Sequence, residues 1–242
     1  MTITTECDLL WLADQRQSDQ PQIWVAGCSI ANGTDVEKTE RYGQLLADEL
    51  NMPVSFLSIL GSAIPWAADQ ILRSDIRQGD IVVWGLTGIS RYLTFRNNIF
   101  VNVLPETFLV EIDPISFALR NGEDRQQVLD YYVNYQKGID SWTGQETKEM
   151  ESACLNSDRL MQAVQTIHQV NNFCNKIGAK LIVFLHDISL EEYYDFVEER
   201  ISNLPGYLKI SEVKDMGKHG THPGPKTHQT WTDEILEKLK NL

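Results

Sequence analysis

The chain lacks most of what would mark it for a nucleic acid, a membrane or an oxidising compartment. Basic residues are scarce: 21 Lys and Arg stand against 34 Asp and Glu, a formal charge of −13 over 242 residues. Phosphate backbones and anionic lipid surfaces repel such a surface, so neither is an expected partner. Only four cysteines occur, Cys7, Cys28, Cys154 and Cys174, without paired spacing or a Cys-x-x-Cys. Reduced thiols are expected rather than disulfides. No apolar run reaches membrane-spanning length, and no basic stretch leading into an apolar core opens the sequence. The expectation is a cytoplasmic protein without membrane insertion. Nucleotide signatures are missing too: the glycines at 27 and 33 do not make Gly-x-Gly-x-x-Gly, and no Gly-Lys-Ser/Thr loop occurs. Nor is there a Gly-x-Ser-x-Gly nucleophile elbow. No cofactor is expected. Repeats, low-complexity tracts and linkers are also absent, which predicts one domain over 1–242.

What is present is a well-supplied core, with 42% hydrophobic residues and six tryptophans. Strand-like runs fall at Gln22–Gly27, Val54–Leu57, Ile81–Leu86, Lys180–Leu185 and Leu208–Ile210. Helical spacing fills the gaps. Val36–Leu50 carries Tyr42, Leu45, Leu46 and Leu50 on one face, and Ala63–Arg73 is a second candidate. Ser157–Ile177 is the clearest, with a cap signal at Ser157 and a stop at Gly178. Gln229–Leu242 ends the chain. Helices between short apolar strands imply an α/β fold: a three-layer α/β/α sandwich around a mostly parallel five-stranded sheet. Residues 92–157 break the pattern and read as an insertion after the third strand. A hairpin is expected within Phe95–Val110 and a short helix at Arg125–Tyr135. The insertion reads equally well as a lid over the catalytic edge or as an interface of a homo-oligomer.

Two segments carry chemistry. In Ile23–Gly33 an apolar run stops at Gly27, and Ser29 follows. This is a strand ending in a tight turn that presents one hydroxyl at the sheet's C-terminal edge, where open α/β folds bind ligands. A nucleophilic serine needs that position; an ordinary strand-to-helix turn with Ser29 as a cap is the plain alternative. In Asp215–His228 three histidines, His219, His222 and His228, fall within ten positions.

Gly27-Cys28-Ser29 early and His222-Pro223-Gly224 before the last helix resemble the first and last motif blocks of the SGNH (GDSL-type) hydrolases. The serine stands where that family has Gly-Asp-Ser, and the histidine where it has Asp-x-x-His-Pro. Ser58–Ser62 and Ile81–Thr87 fall in order where the family places its two further oxyanion blocks. The resemblance implies an SGNH/flavodoxin-like fold, Ser29 as nucleophile and His222 as base. It also implies an oxyanion hole made by the N–H groups of Ser29 and Gly61 with the Thr87 side chain.

Two departures qualify this picture. His219 occupies the place of the acid, and Thr87 that of the oxyanion asparagine. His219 supplies no negative charge. It would orient His222 through a neutral hydrogen bond, or Asp215 would fold back as the acid, or Ser29 and His222 would work as a dyad. A lost acid or oxyanion donor costs orders of magnitude in rate.

Other residues have plainer readings. A metal site from the three histidines is disfavoured, because Gly220 and Pro223 exclude a regular helix and no carboxylate sits at a ligand spacing. His228 is expected to cap or pack near the last helix, and His168 to be structural. Cys28 is expected to point away from the Ser29 face. His186-Asp187 and Arg91 border the expected pocket without an assigned role. The resulting expectation is a serine-dependent esterase or deacetylase acting on a small or carbohydrate-linked ester. The alternatives are an impaired relative that binds a carbohydrate or acylated ligand, and an interaction protein.

Overall fold

A computed structural model of the protein describes residues 16–58, 62–86, 92–96, 99–103, 157–185, 191–220 and 222–242. Its centre is a four-stranded parallel sheet of β1 (Ile23–Gly27), β2 (Val54–Ser58), β3 (Ile81–Leu86) and β6 (Lys180–Leu185), ordered β2-β1-β3-β6. β1 lies in register with β2 from Ile23↔Val54 to Gly27↔Ser58, and with β3 from Ile23↔Ile81 to Ala26↔Trp84. All of β1 and β3 is buried. That is why these strands read as unbroken apolar runs: both faces of a parallel sheet are covered.

Alternation along the strands feeds two cores. Trp24, Ala26, Val82, Trp84 and Val183 face α3 (Ile64–Arg73), α4 (Ser157–Ile177) and α5 (Glu191–Ile201). Ile23, Val25, Val83, Ile182 and Phe184 face α2 (Tyr42–Leu50) and α6 (Pro225–Lys240). α4 follows its sequence pattern closely, burying Leu160, Val164, Ile167 and Cys174. It stops where Gly178, at φ 78°, allows Ala179 N–H to reach the Cys174 carbonyl and its own N–H to reach Asn175. This is a Schellman end, which needs a left-handed residue. Burial pushes the Cys174 thiol up to about 12, as suits an inert core sulfur.

The structure corrects several expectations. Leu208–Ile210 is not a fifth strand among the described residues. Val183 N–H donates to the Gly206 carbonyl and Leu208 N–H to the Val183 carbonyl, a single parallel rung at Tyr207 before the chain leaves the edge. The helix expected over Val36–Leu50 begins only at Tyr42. A separate 3-10 turn (Lys38–Glu40), closed by a reciprocal Glu37–Glu40 capping box, precedes it, and Arg41 is extended. The last helix starts earlier than Gln229, at Pro225, whose fixed φ suits a first helical position.

Of the insertion, the structure describes β4 (Tyr92–Arg96) and β5 (Ile99–Val103), an antiparallel pair from Tyr92↔Val103 to Arg96↔Ile99. The hairpin thus starts before Phe95. The remainder of 92–157 up to Ser157, including the helix expected at Arg125–Tyr135, lies outside the described residues, as do Cys7 and Cys154. Among the described residues no helix is long and apolar enough to cross a membrane.

Candidate active site

The C-terminal ends of β1 and β3 come close at Gly27. It adopts φ 141°, and a side chain there would meet the Gly85 carbonyl at 2.5 Å and Ala31 at 2.8 Å. A glycine is required. The chain then turns through extended Cys28 into α1 (Ser29–Asn32), a single turn ended by Gly33 at φ 70°. Ser29 opens that turn, where a helical N–H has no intrahelical acceptor. Ser62, fully buried, donates its hydroxyl to the Gly27 carbonyl at 2.8 Å, tying the segment after β2 to this turn. Cys28 is buried beneath it.

His222 arrives on a small paired loop. Gly224 N–H donates to the Asp215 carbonyl and Gly217 N–H to the His222 carbonyl, both at 2.8 Å, and Met216 bridges Pro223. Between them Gly220 N–H closes a tight turn on Gly217. The loop sets His222 Nε2 2.9 Å from Ser29 Oγ, hydrogen-bond distance. The other ring nitrogen, Nδ1, lies 3.5 Å from an Asp35 carboxylate oxygen. The Asp35 side chain is 4% exposed and that of His222 23%. With the proton on Nδ1 facing the carboxylate, Nε2 is left to accept the serine proton.

No protein-family model matches the chain, and no curated protein sequence matches it. Among solved structures, a carbohydrate esterase family 2 enzyme with a carbohydrate binding domain from Corynascus thermopiles (Myceliophthora fergusii) is similar at a TM-score of 0.50 and 14% identity. The match covers 93% of this chain and 68% of that one. This chain shares the α/β/α fold of that enzyme. The psychrotrophic esterase EstA from Pseudoalteromonas sp. has a TM-score of 0.48 at 9% identity, covering 91% of this chain and 97% of its own. TesA stands at 0.48 and 14%, with 91% and 99% covered.

Within this fold the two residues considered from the sequence for the place behind His222, His219 and Asp215, stand elsewhere. His219 is exposed in the turn at the loop's tip. Asp215 sits at the loop's base. Its carboxylate accepts from the N–H groups of Lys226 (3.1 Å) and Thr227 (2.8 Å) and from the Thr227 hydroxyl (2.8 Å). Those amides are the first orphan donors of α6, whose N-cap, Gly224, has no side chain to satisfy them. Partial burial pushes the Asp215 carboxyl up, but these hydrogen bonds outweigh it and hold the group below the usual carboxylate range.

Asp35, which faces His222 Nδ1, is not among the residues the sequence singled out. It follows the serine block in the turn Gly33-Thr34-Asp35-Val36, closed by Val36 N–H to the Gly33 carbonyl at 3.3 Å. It adopts φ 74°, a left-handed conformation that Asp tolerates better than most residues. The only available signal was an aspartate in a turn directly after the serine. Gly61, Thr87, Arg91 and His186-Asp187 lie outside the described residues. His168 Nε2 meets the Arg200 carbonyl at 3.1 Å and joins α4 to α5. Among the described residues no three His, Cys, Asp or Glu converge as a metal-binding group.

Proposed function

We propose that the protein is a serine-dependent hydrolase of acyl esters, with a small or carbohydrate-linked ester as substrate. The observation that carries this reading is the 2.9 Å contact between Ser29 Oγ and His222 Nε2 at the C-terminal edge of a parallel sheet. Two further facts support it. Ser29 opens a helical turn beside a buried strand end, and the loop bearing His222 is fixed by its own backbone pairing.

In the reaction, Ser29 Oγ attacks the ester carbonyl carbon while its proton passes to His222 Nε2. The tetrahedral intermediate carries its negative charge on the former carbonyl oxygen. The N–H groups of Ser29 and Gly61 and the Thr87 hydroxyl are the proposed donors to that oxygen. Collapse breaks the bond to the alcohol, which leaves with the proton from Nε2, and Ser29 is acylated. Water then attacks the acyl carbon, giving its proton to Nε2. The carboxylic acid departs as Oγ recovers that proton.

A second reading is favoured by one observation, the threonine at position 87 where the resemblance expects asparagine. It is a non-catalytic protein that binds a carbohydrate or acylated ligand in the same cleft. Intact-mass measurement after a fluorophosphonate probe separates the two. One adduct on wild type, absent from Ser29→Ala, with p-nitrophenyl acetate turnover lost in Ser29→Ala and His222→Ala, is the expected result. Esterase activity retained in purified Ser29→Ala overturns the hydrolase reading. Folded wild type with neither adduct nor turnover favours the binder.

A further inference from the structure

We infer that Asp35, on the connection that follows the nucleophile's own turn, is the carboxylate that orients and charges His222, and that Asp215 and His219 have no such role. The inference rests on the proposed Ser29–His222 chemistry. It changes where the third group comes from: the acid has moved from the histidine loop to the serine loop.

Four observations support it. The Asp35 oxygen faces His222 Nδ1 at 3.5 Å, on the opposite side of the ring from Ser29. This is longer than a tight charge-assisted bond of about 2.8 Å, and such contacts commonly close only in the substrate complex. Second, the Asp35 side chain is 4% exposed. A carboxylate is costly to bury unless hydrogen-bonded or paired, and His222 is an ionisable group that it faces. Third, Asp35 holds a left-handed backbone, φ 74°, a conformation that persists in a non-glycine residue where its surroundings enforce it. Fourth, the two loops are joined directly: Lys218 N–H donates to the Asp35 carbonyl at 3.1 Å, and Gly217 packs against Asp35 with no room for a side chain. The acid and the histidine therefore move as one unit.

The competing groups fail on geometry. Asp215 has its two oxygens engaged by Lys226 and Thr227 at the start of α6. His219 is exposed at the turn and carries no negative charge to offset an imidazolium. Asp35 thus acts as a positioning residue. It keeps the proton on Nδ1, so that Nε2 can take the proton of Ser29, and its charge stabilises the imidazolium formed in the transition state.

Asparagine is the informative substitution, because it also tolerates the left-handed backbone while reversing the hydrogen-bond logic. Its amide would donate to Nδ1 and force the ring proton onto Nε2. The first measurement is imidazole 15N NMR of His222 at about pH 9, where a free histidine ring is neutral. Wild type, Asp215→Asn and His219→Ala should carry the proton on Nδ1, and Asp35→Asn on Nε2. The second is p-nitrophenyl acetate kinetics. Asp35→Asn should lower kcat by roughly 10²–10⁴ with KM little changed, as loss of a triad acid does. Unchanged tautomer and kcat in Asp35→Asn overturn the inference, as does a tautomer switch in Asp215→Asn. If wild type shows no turnover, the hydrolase reading falls while the tautomer comparison still decides the role of Asp35.

Discussion

Gly217 and Asp35 meet backbone to backbone: a methyl group on Gly217 would lie 2.5 Å from the Asp35 β-carbon and 2.8 Å from its carbonyl oxygen. A real β-carbon essentially never has a non-bonded neighbour at either distance, and a main-chain oxygen cannot swing aside. The glycine is what lets the histidine loop rest on the turn that follows Ser29. Gly217→Ala should therefore separate the two loops rather than merely crowd a side chain. Overpacking of this kind costs roughly 1–3 kcal/mol. Thermal unfolding should shift down by several degrees, and ester turnover should fall more than the stability loss explains, because His222 Nε2 moves off Ser29 Oγ. Turnover equal to wild type would show that loop docking does not set the 2.9 Å contact.

Asp215 supplies the cap that Gly224 cannot. Removing it in Asp215→Ala should destabilise the protein by about 0.5–2 kcal/mol at neutral pH, as for other lost helix caps. The loss should depend on pH in a definite direction. The hydrogen bonds from Thr227 and Lys226 hold the folded carboxyl below its unfolded value, despite the opposing effect of burial. A depressed folded value means that the stabilisation is complete above the unfolded value of about 3.9 and disappears as pH falls through the folded one. Wild type and Asp215→Ala should thus differ in urea midpoint from pH 7 down to about pH 4 and draw together only as the pH falls further, through the folded value. A gap that keeps its size through that further fall would mean that the carboxylate charge is not what holds the helix end.

Asp35 and Asp215 also explain which parts of the candidate site were legible. Ser29 and His222 were visible because each sits beside a local pattern: an apolar strand broken by glycine, and a histidine followed by Pro223 and Gly224. Asp35 carried no such pattern, since its partner stands at the far end of the chain and only the folded loops bring them together. Asp215 drew attention for a related reason: in sequence, an aspartate that caps a helix and one that orients a histidine look identical, and the structure shows the first of these contacts. The fold was easier. β1, β3 and β6 are buried on both faces and so advertise themselves as apolar runs, and α4 shows its buried stripe over 21 residues. Leu208–Ile210 has the same apolar look, yet it meets β6 only through the single rung at Tyr207. Composition signals burial there, and pairing depends on where the chain goes next.

His228, the third histidine of the cluster, belongs to the scaffold and not to the chemistry. It is fully buried in the first turn of α6, and its Nδ1 accepts the N–H of Tyr42 at 3.2 Å. Tyr42 is the first residue of α2, and Arg41 before it gives no side-chain cap, so the imidazole satisfies a helix-end donor from another element. The ring also stacks on Tyr42, with centroids 5.7 Å apart and planes 17° from parallel. Two substitutions separate the contributions. His228→Phe keeps an aromatic ring but strands a buried N–H, which costs about 1–3 kcal/mol. His228→Asn offers a carbonyl oxygen near the position of Nδ1 but loses the stacked ring, worth about 0.5–1.5 kcal/mol beyond its buried area. If the hydrogen bond dominates, chemical denaturation should rank wild type above Asn and Asn above Phe. The reverse order would assign the junction of α2 and α6 to aromatic packing, with the Tyr42 amide finding another acceptor once the imidazole is gone.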